Sequence, residues 1–272
     1  CQISVDFLST RDFAMRPRLW LKLLSENRGT ISFSPPFGYD LAARRLRDGE
    51  AANYDLSSWR VAGVGAEMIR TETLEFFARH LEQSGFNSRA FLPCYGMAEC
   101  SLAVCFGPLD EGMQIDQIDA DQLTDHQRAV SVDPLANNAK TRSKTLVNCG
   151  KVLPGYEFEI RDTEGGVLPE RQCGILYLRG LSVMSGYFGD LQSTSEVLSD
   201  DGWLNTGDIA YRVGSEVVIT GRSKDMIIIN GRNIWPQDIE YLAETQPEIR
   251  TGDATAFYIL NSLSEELAVV LV

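Results

Sequence analysis

Asp208 and Arg222 stand directly after glycines in the stretch 204–240, LNTGDIAYRVGSEVVITGRSKDMIIINGRNIWPQDIE. Asp208 follows Gly207, which has no side chain to obstruct a ligand, so its carboxylate could accept hydrogen bonds from two vicinal hydroxyls such as those of ribose. Arg222 follows Gly221 in the same way. Between them the β-branched run Val217, Val218, Ile219 predicts a strand whose register could bring carboxylate and guanidinium toward one ligand. A nucleotide would suit such a pair. As isolated tripeptides, however, TGD and GR read first as turn residues or a surface ion pair.

A second constellation lies at Tyr95-Gly96-Met97-Ala98-Glu99. Here a strand is expected to turn into a helix, so that free backbone N–H groups could hold a phosphate and Gly96 would permit close approach. Glu99 could then hold a magnesium ion bridging phosphate oxygens, because magnesium takes one or two carboxylates together with substrate oxygens. The opposing reading makes Tyr95 a packed aromatic and Glu99 a helix-start residue favoured by the helix dipole. The pentapeptide alone leaves both open.

The elements that must position these residues fall into a recognisable order. Pro17 suits the first turn of a helix with Trp20, Leu23 and Leu24 on one face, and Gly29 can end it with a left-handed residue. Residues 30–33 predict a strand, and Ser34-Pro35-Pro36-Phe37-Gly38-Tyr39 a loop, followed by a helix from Asp40. Residues 59–64 predict a second strand running into Gly65-Ala66-Glu67. Thr71 is expected to cap a helix carrying Leu74, Phe77, Ala78 and Leu81, which Gly85 closes. A third strand is expected at 89–92. Such alternation implies an α/β fold, a parallel-sheet lobe with helices. In such sheets ligands sit outside the carboxyl ends of the strands, where 34–39, 65–67 and 95–99 all fall.

The order TGD, then GRxKD, an apolar run and GRNxxPxDIE resembles the adenylate-forming superfamily of acyl-CoA synthetases, luciferases and peptide-synthetase adenylation domains. Within it, IIINGRNIWPQDIE most resembles the fatty acyl-AMP ligases, and YGMAE resembles the YGxTE motif with alanine in place of threonine. The resemblance implies nucleotide contacts from Gly65, Ala66, Glu67, Tyr95, Gly96, Met97, Ala98, Asp208 and Arg222. Tyr95 would lie against adenine, Ala98 near the α-phosphate, Glu99 on magnesium, and Gly65-Ala66-Glu67 on adenine's other face. Glu67 departs from the pattern, standing where many acyl-CoA synthetases carry proline. Ala98 has no hydroxyl to offer the phosphate, so backbone N–H groups must supply that donor. Lys224 aligns with the hinge residue about which the small C-terminal domain turns, and is counted with Glu99 as catalytic. Phe37, Gly38 and Tyr39 resemble the loop near the acyl tunnel, though an aromatic beside two prolines is also ordinary packing.

Composition bounds these readings. The 272 residues, 44% hydrophobic, are ample for a core. A formal charge of −13 argues against nucleic acid or an anionic membrane as main partner. The six cysteines (Cys1, Cys94, Cys100, Cys105, Cys149, Cys173) form no CxxC pair, and with only His80 and His126 beside them argue against zinc and for reduced thiols in a cytoplasmic protein. No apolar run approaches a membrane span.

Four segments are expected: 1–108, the second α/β lobe of a large N-terminal domain; 109–145, a polar connecting segment without periodicity, carrying acids such as Asp110, Asp116 and Asp133; 146–222, a small β-barrel-like subdomain; and 223–272, the start of an α+β C-terminal domain. Gly186, Tyr187 and Trp203 match family phrases and are expected to be structural, the rings filling the core beneath Asp208. Asn230-Gly231 signals a tight turn, and Pro236 a helix start. The chain is expected to be an internal fragment, because the resemblance implies a phosphate loop upstream and a closing lysine downstream. The function implied is ATP- and Mg2+-dependent conversion of a fatty acid to an acyl-adenylate, for transfer to an acyl carrier protein. This stretch by itself is expected to be poorly active. A fatty acyl-CoA ligase and a non-catalytic nucleotide- or carrier-binding module are the alternatives.

Overall fold

Strand and helix alternate through the first hundred residues of the computed structural model, which describes residues 3–132, 142–229, 232–250, 252–260 and 266–272. Cys1, Asp133 and the Asn230-Gly231 turn lie outside the described residues. The chain divides into two units, Cys1–Cys94 with Gly107–Gln114, and Tyr95–Phe106 with Ile115–Val272.

In the first unit, α1 (Thr10–Met15) is capped by the Ser9 hydroxyl, which accepts the Asp12 N–H at 3.1 Å. Then α2 (Arg18–Glu26) starts after Pro17 and buries Trp20, Leu21 and Leu24 on one face. The left-handed residue at its end is Arg28 (φ 50°), not Gly29. β1 (Ile31–Ser34) leads into α3 (Pro36–Arg44), where a loop was expected: Pro36 occupies the first turn, whose N–H groups have no intrahelical acceptor, so its missing donor costs nothing. Tyr39 is consequently a core residue, fully buried, donating to the Gly63 carbonyl at 2.8 Å.

β2 (Val61–Val64) and α4 (Thr71–His80) follow; Arg70 holds the cap position and Thr71 is the first helical residue, making no side-chain cap bond. β3 (Phe91–Met97) completes a parallel set in the order β1–β2–β3, with Ile31 opposite Val61 and Ala62 opposite Phe91. Their core is aromatic. Trp20, Tyr39, Trp59, Phe77, Phe86 and Phe91 meet mainly edge to face, as Trp59 and Phe77 do at 6.0 Å and 90°. Such pairs add about 0.5–1.5 kcal/mol each beyond the area they bury.

The second unit is mostly antiparallel. Its elements are β4 (Leu102–Phe106), β5 (Ile115–Asp119), α5 (Ala120–His126), β6 (Ser143–Val152), β7 (Tyr156–Arg161), β8 (Gly174–Gly180), α6 (Leu191–Val197), β9 (Leu204–Val213) and β10 (Glu216–Arg222). Neighbours run β4–β6–β10–β9–β8–β7, and β5 pairs with β6. Six strands share one apolar core, from Val104 and Cys105 through Cys149, Ile160, Leu176 and Leu178 to Leu204, Ala210 and Val217.

Two expectations are corrected here. No helix follows Glu99: residues 98–100 make one 3-10 turn and the chain returns as β4. Nor is the polar segment featureless. β5 pairs with β6 from Ile115–Val147 to Asp119–Ser143, and the Asp119 side chain caps α5 by accepting the Asp121 and Gln122 N–H groups. Asp116 accepts the Tyr211 hydroxyl at 2.9 Å and an Arg171 N–H at 3.0 Å, so acidic residues there are partners for the sheet.

After β10 come β11 (Ile227–Ile229), β12 (Arg232–Ile234), α7 (Pro236–Glu244), β13 (Thr255–Leu260) and β14 (Glu266–Leu271), forming two antiparallel hairpins about a helix that Pro236 opens as expected. Trp235, 5% exposed, lies over Gly221, where a Cβ would stand 2.5 Å from its ring. The Lys144 ammonium pairs with Asp238 at 2.7 Å and sits 5.7 Å from the Trp235 ring centroid.

Candidate functional site

Each expected residue finds a definite place. Gly65, Ala66 and Glu67 form the loop after β2 in the first unit, with Gly65 buried and Ala66 left-handed at φ 68°. Tyr95, Gly96 and Met97 end β3, and Ala98 and Glu99 form the 3-10 turn. Asp208 lies in β9, Arg222 ends β10, and Lys224 is exposed in the 3-10 turn Ser223–Asp225.

Three of these meet in the second unit. The Tyr95 hydroxyl donates to Asp208 Oδ2 at 2.6 Å, and Arg222 Nε donates to Oδ1 at 2.9 Å. The backbone dictates the meeting: Asp208 is directly opposite Arg222 in the β9–β10 ladder. Just before it the β8–β9 register slips, with Gly207 left-handed at φ 71°. That conformation is steric strain for any residue with a Cβ. Side chains hold the irregularity in place, since Gly207 N–H donates to Asn205 Oδ1 and Asp208 N–H to Thr206 Oγ1. The Thr206 hydroxyl in turn donates to the Leu176 carbonyl at 2.8 Å.

The electrostatics are lopsided. The Asp208 side chain is 8% exposed and that of Arg222 47%, so a buried anion is compensated by a half-solvated cation. Arg222 is held protonated by its hydrogen bond and charge contact with Asp208. Burial, reinforced by the neighbouring carboxylate, raises Tyr95 far above the ordinary phenol range, so it remains a donor at any working pH. Each Asp208 oxygen accepts one of these bonds, and a carboxylate oxygen can accept two. Two acceptor positions therefore remain for a diol.

The turn that carries Glu99 is built by close contact. A Cβ at Gly96 would overlap the Leu102 carbonyl oxygen, and the chain doubles back through two left-handed non-glycine residues, Ser101 (φ 56°) and Leu102 (φ 93°). The Tyr156 hydroxyl donates to the Cys100 carbonyl at 3.0 Å, and the Met184 N–H to the Glu99 carbonyl at 2.7 Å. The Glu99 carboxylate is not bonded to the Tyr95, Asp208 and Arg222 group. Its partner is Tyr187, whose hydroxyl donates to Oε1 at 2.9 Å.

This corrects the expectation that Tyr187 fills core, since it is 38% exposed. Trp203 is buried, stacked under the Arg161 and Arg179 guanidiniums at 4.7 and 4.6 Å. Only the chain separation hid the Tyr187 contact: the partners are 88 positions apart, and no local pattern marks it.

Among the described residues no three His, Cys, Asp or Glu side chains gather where they could hold a metal ion. Glu99 is thus a single carboxylate with one oxygen engaged by a phenol. Such a donor fits magnesium, which takes one or two carboxylates and fills its octahedron with water and substrate oxygens. It does not fit a metal needing an all-protein cage. Among the described residues no helix is long and apolar enough to cross a membrane.

The chain as a whole is similar to known proteins. Over its whole length the chain is 44% identical to a Caulobacter vibrioides protein that bears the name of an acyl-CoA synthetase, of which it covers 47%. It is 36% identical over 268 residues to a medium-chain-fatty-acid–acyl-carrier-protein ligase of Moorena producens, covering 95% of this chain and 45% of that one. Among solved structures, one from the fatty acyl-adenylate ligases of E. coli and L. pneumophila superposes with a TM-score of 0.90 at 48% identity, covering 98% of this chain and 47% of that one. The chain spans about half the length of these relatives. Residues 4–188 match the profile of the AMP-binding enzymes, and it is to the AMP-binding enzyme family that this chain belongs.

Proposed function

We propose that the full-length protein activates a fatty acid with ATP and passes the acyl group to the thiol of an acyl carrier protein. A carboxylate oxygen of the fatty acid attacks the α-phosphorus, the bond to the β-phosphate oxygen breaks, and pyrophosphate leaves. An acyl-adenylate remains. The observation that carries this reading is the buried Asp208 carboxylate, fixed by Tyr95 and Arg222 with acceptor positions left for the ribose hydroxyls. The ring of Tyr95 lies against adenine, and Gly65, Ala66 and Glu67 are further candidate nucleotide contacts. Gly96, Met97 and Ala98 line the α-phosphate, with backbone N–H groups replacing the hydroxyl that Ala98 lacks. Glu99 holds the Mg2+ ion, which when bound neutralises phosphate charge. Positioning and charge neutralisation suffice, and the chain need supply no covalent nucleophile.

Residues 223–272 are proposed as the beginning of the C-terminal domain, turning about Lys224. Transfer to a carrier protein is supported by the Moorena relative, whereas the Caulobacter relative favours CoA as acceptor. The five cysteines that are described are free thiols, which suits a cytoplasmic setting. The test is pyrophosphate release by the full-length protein with fatty acids of graded length, followed by separate addition of CoA and of a carrier protein. Release that requires a fatty acid and falls in Asp208→Asn supports the reading. No release with any fatty acid refutes it and favours a non-catalytic nucleotide-binding module.

A further inference from the structure

We propose that Tyr187 is a positioning residue that presents Glu99 as a one-oxygen ligand and thereby biases the site toward magnesium over calcium; this rests on Glu99 holding the cation.

The phenol is anchored independently of the carboxylate it meets. The Tyr187 N–H donates to Thr194 Oγ1 at 2.9 Å, and that hydroxyl donates to the Asp190 carbonyl at 2.7 Å. Asp190 also caps α6 through the Ser193 N–H at 2.9 Å. Behind Tyr187 the backbone at Gly186 (φ 145°) passes so near Thr194 that a Cβ would stand 2.9 Å from its methyl group. At the other end of the loop, the Met184 N–H donates to the carbonyl of Glu99 itself. The segment 184–194 is therefore tied both to α6 and to the turn bearing the carboxylate. The phenol arrives at Oε1 already oriented.

A phenol hydroxyl 2.9 Å from a carboxylate oxygen donates to it. One acceptor position of Oε1 is thus filled, and Oε2 has no protein donor among the described residues. Magnesium is satisfied by one carboxylate oxygen in an octahedron of water and phosphate oxygens. Calcium, with six to eight ligands, gains from a bidentate carboxylate. The phenol fills one acceptor position of Oε1 and fixes the carboxylate's rotation, which makes Oε1 a poorer second ligand for a larger ion. Without the phenol, the carboxylate can turn and offer both.

The test uses the full-length protein and α,β-methylene-ATP, titrated calorimetrically in magnesium and in calcium. The readout is the ratio of the two nucleotide dissociation constants in wild type, Tyr187→Phe, Thr194→Val and Glu99→Gln. Wild type is expected to bind more tightly with magnesium, and Tyr187→Phe to narrow that preference about tenfold or more as bidentate calcium becomes accessible. Thr194→Val, which loosens the anchor and keeps the phenol, is expected to narrow it in part. Glu99→Gln is expected to remove the dependence on either cation. If Glu99→Gln does so while Tyr187→Phe and Thr194→Val, both folded by melting, keep the wild-type ratio, the inference is wrong and the metal assignment stands. If Glu99→Gln binds nucleotide with wild-type cation dependence, the assignment of Glu99 itself falls.

Discussion

Replacing Asp208 by asparagine separates the structural and the ligand-binding work of its carboxylate. In the folded chain the carboxylate accepts Tyr95 O–H at 2.6 Å and Arg222 Nε at 2.9 Å from a side chain only 8% exposed. An asparagine can still accept from one donor, but its amide must then face the other. The Tyr95 bond loses its ionic character, worth about 1 kcal/mol, and the half-exposed Arg222 returns to water at less than about 1 kcal/mol. A total near 1–2 kcal/mol lowers the melting temperature by about 2–8 °C, leaving a folded protein. The effect on ligand is larger. On the proposed ribose role, two hydroxyls lose a charged acceptor and meet an amide donor, costing about 2–4 kcal/mol, or roughly 30- to 1,000-fold in affinity. Tyr95→Phe is the control, because it keeps the charge and removes only the O–H, so its affinity is expected to fall less than about tenfold. The assay is calorimetric titration of the full-length protein with a non-hydrolysable acyl-adenylate analogue, with melting curves in parallel. Folded Asp208→Asn that binds within about threefold of wild type would refute the ribose role, since even one charged hydrogen bond lost exceeds that.

Three further outcomes follow from the geometry. Gly96→Ala drives a Cβ into the Leu102 carbonyl, which backbone movement alone can relieve, so it should lower stability by several kcal/mol and yield largely insoluble chain on expression. Glu50 is drawn below the ordinary 4.5: burial works against this, but the Arg47 N–H, the Arg18 guanidinium and the Tyr54 hydroxyl outweigh it. A lowered carboxyl contributes stability above 4.5 that disappears as pH falls through the folded value, so Glu50→Gln should melt lower at pH 7 and converge with wild type in acid. Burial pushes the Cys94 thiol up to about 11 from 9.0, so iodoacetamide near pH 8 should modify it about 100-fold more slowly than an unfolded-chain thiol, as peptide mapping would show.

Legibility in the sequence tracked the range of the forces involved. The β-branched run Val217, Val218 and Ile219 named its strand because such side chains pack well on a pleated sheet, and it lies within β10. The spacing from Gly207-Asp208 to Gly221-Arg222 held enough residues for a hairpin, and the ladder set the two charges opposite each other. The return strand after Glu99 was hidden because Ser101 and Leu102 make its turn in left-handed conformations that no glycine or asparagine advertises. β5 was hidden because Asp116 and Asp119 are satisfied by Tyr211, Arg171 and the start of α5, contacts made at long range or at a helix cap. The loop expected at 34–39 became α3 because Pro36 opens a helix as readily as it breaks one.

The indole of Trp235 over Gly221 also makes the chain its own optical reporter. Of the four tryptophans, Trp20, Trp59 and Trp203 are 8%, 2% and 5% exposed within their own units, and Trp235 is 5% exposed only because Gly221 lacks a side chain. Its Nε1 is buried with no hydrogen-bond partner among the described residues, and an indole shielded from water in this way emits toward the blue. Should the segment beyond Lys224 swing away, this indole alone would enter water, and its emission would move to the red while the other three stayed dark to the change. Rapid-mixing fluorescence of the unlabelled protein, with Trp235→Phe as the blank, would then time the swing.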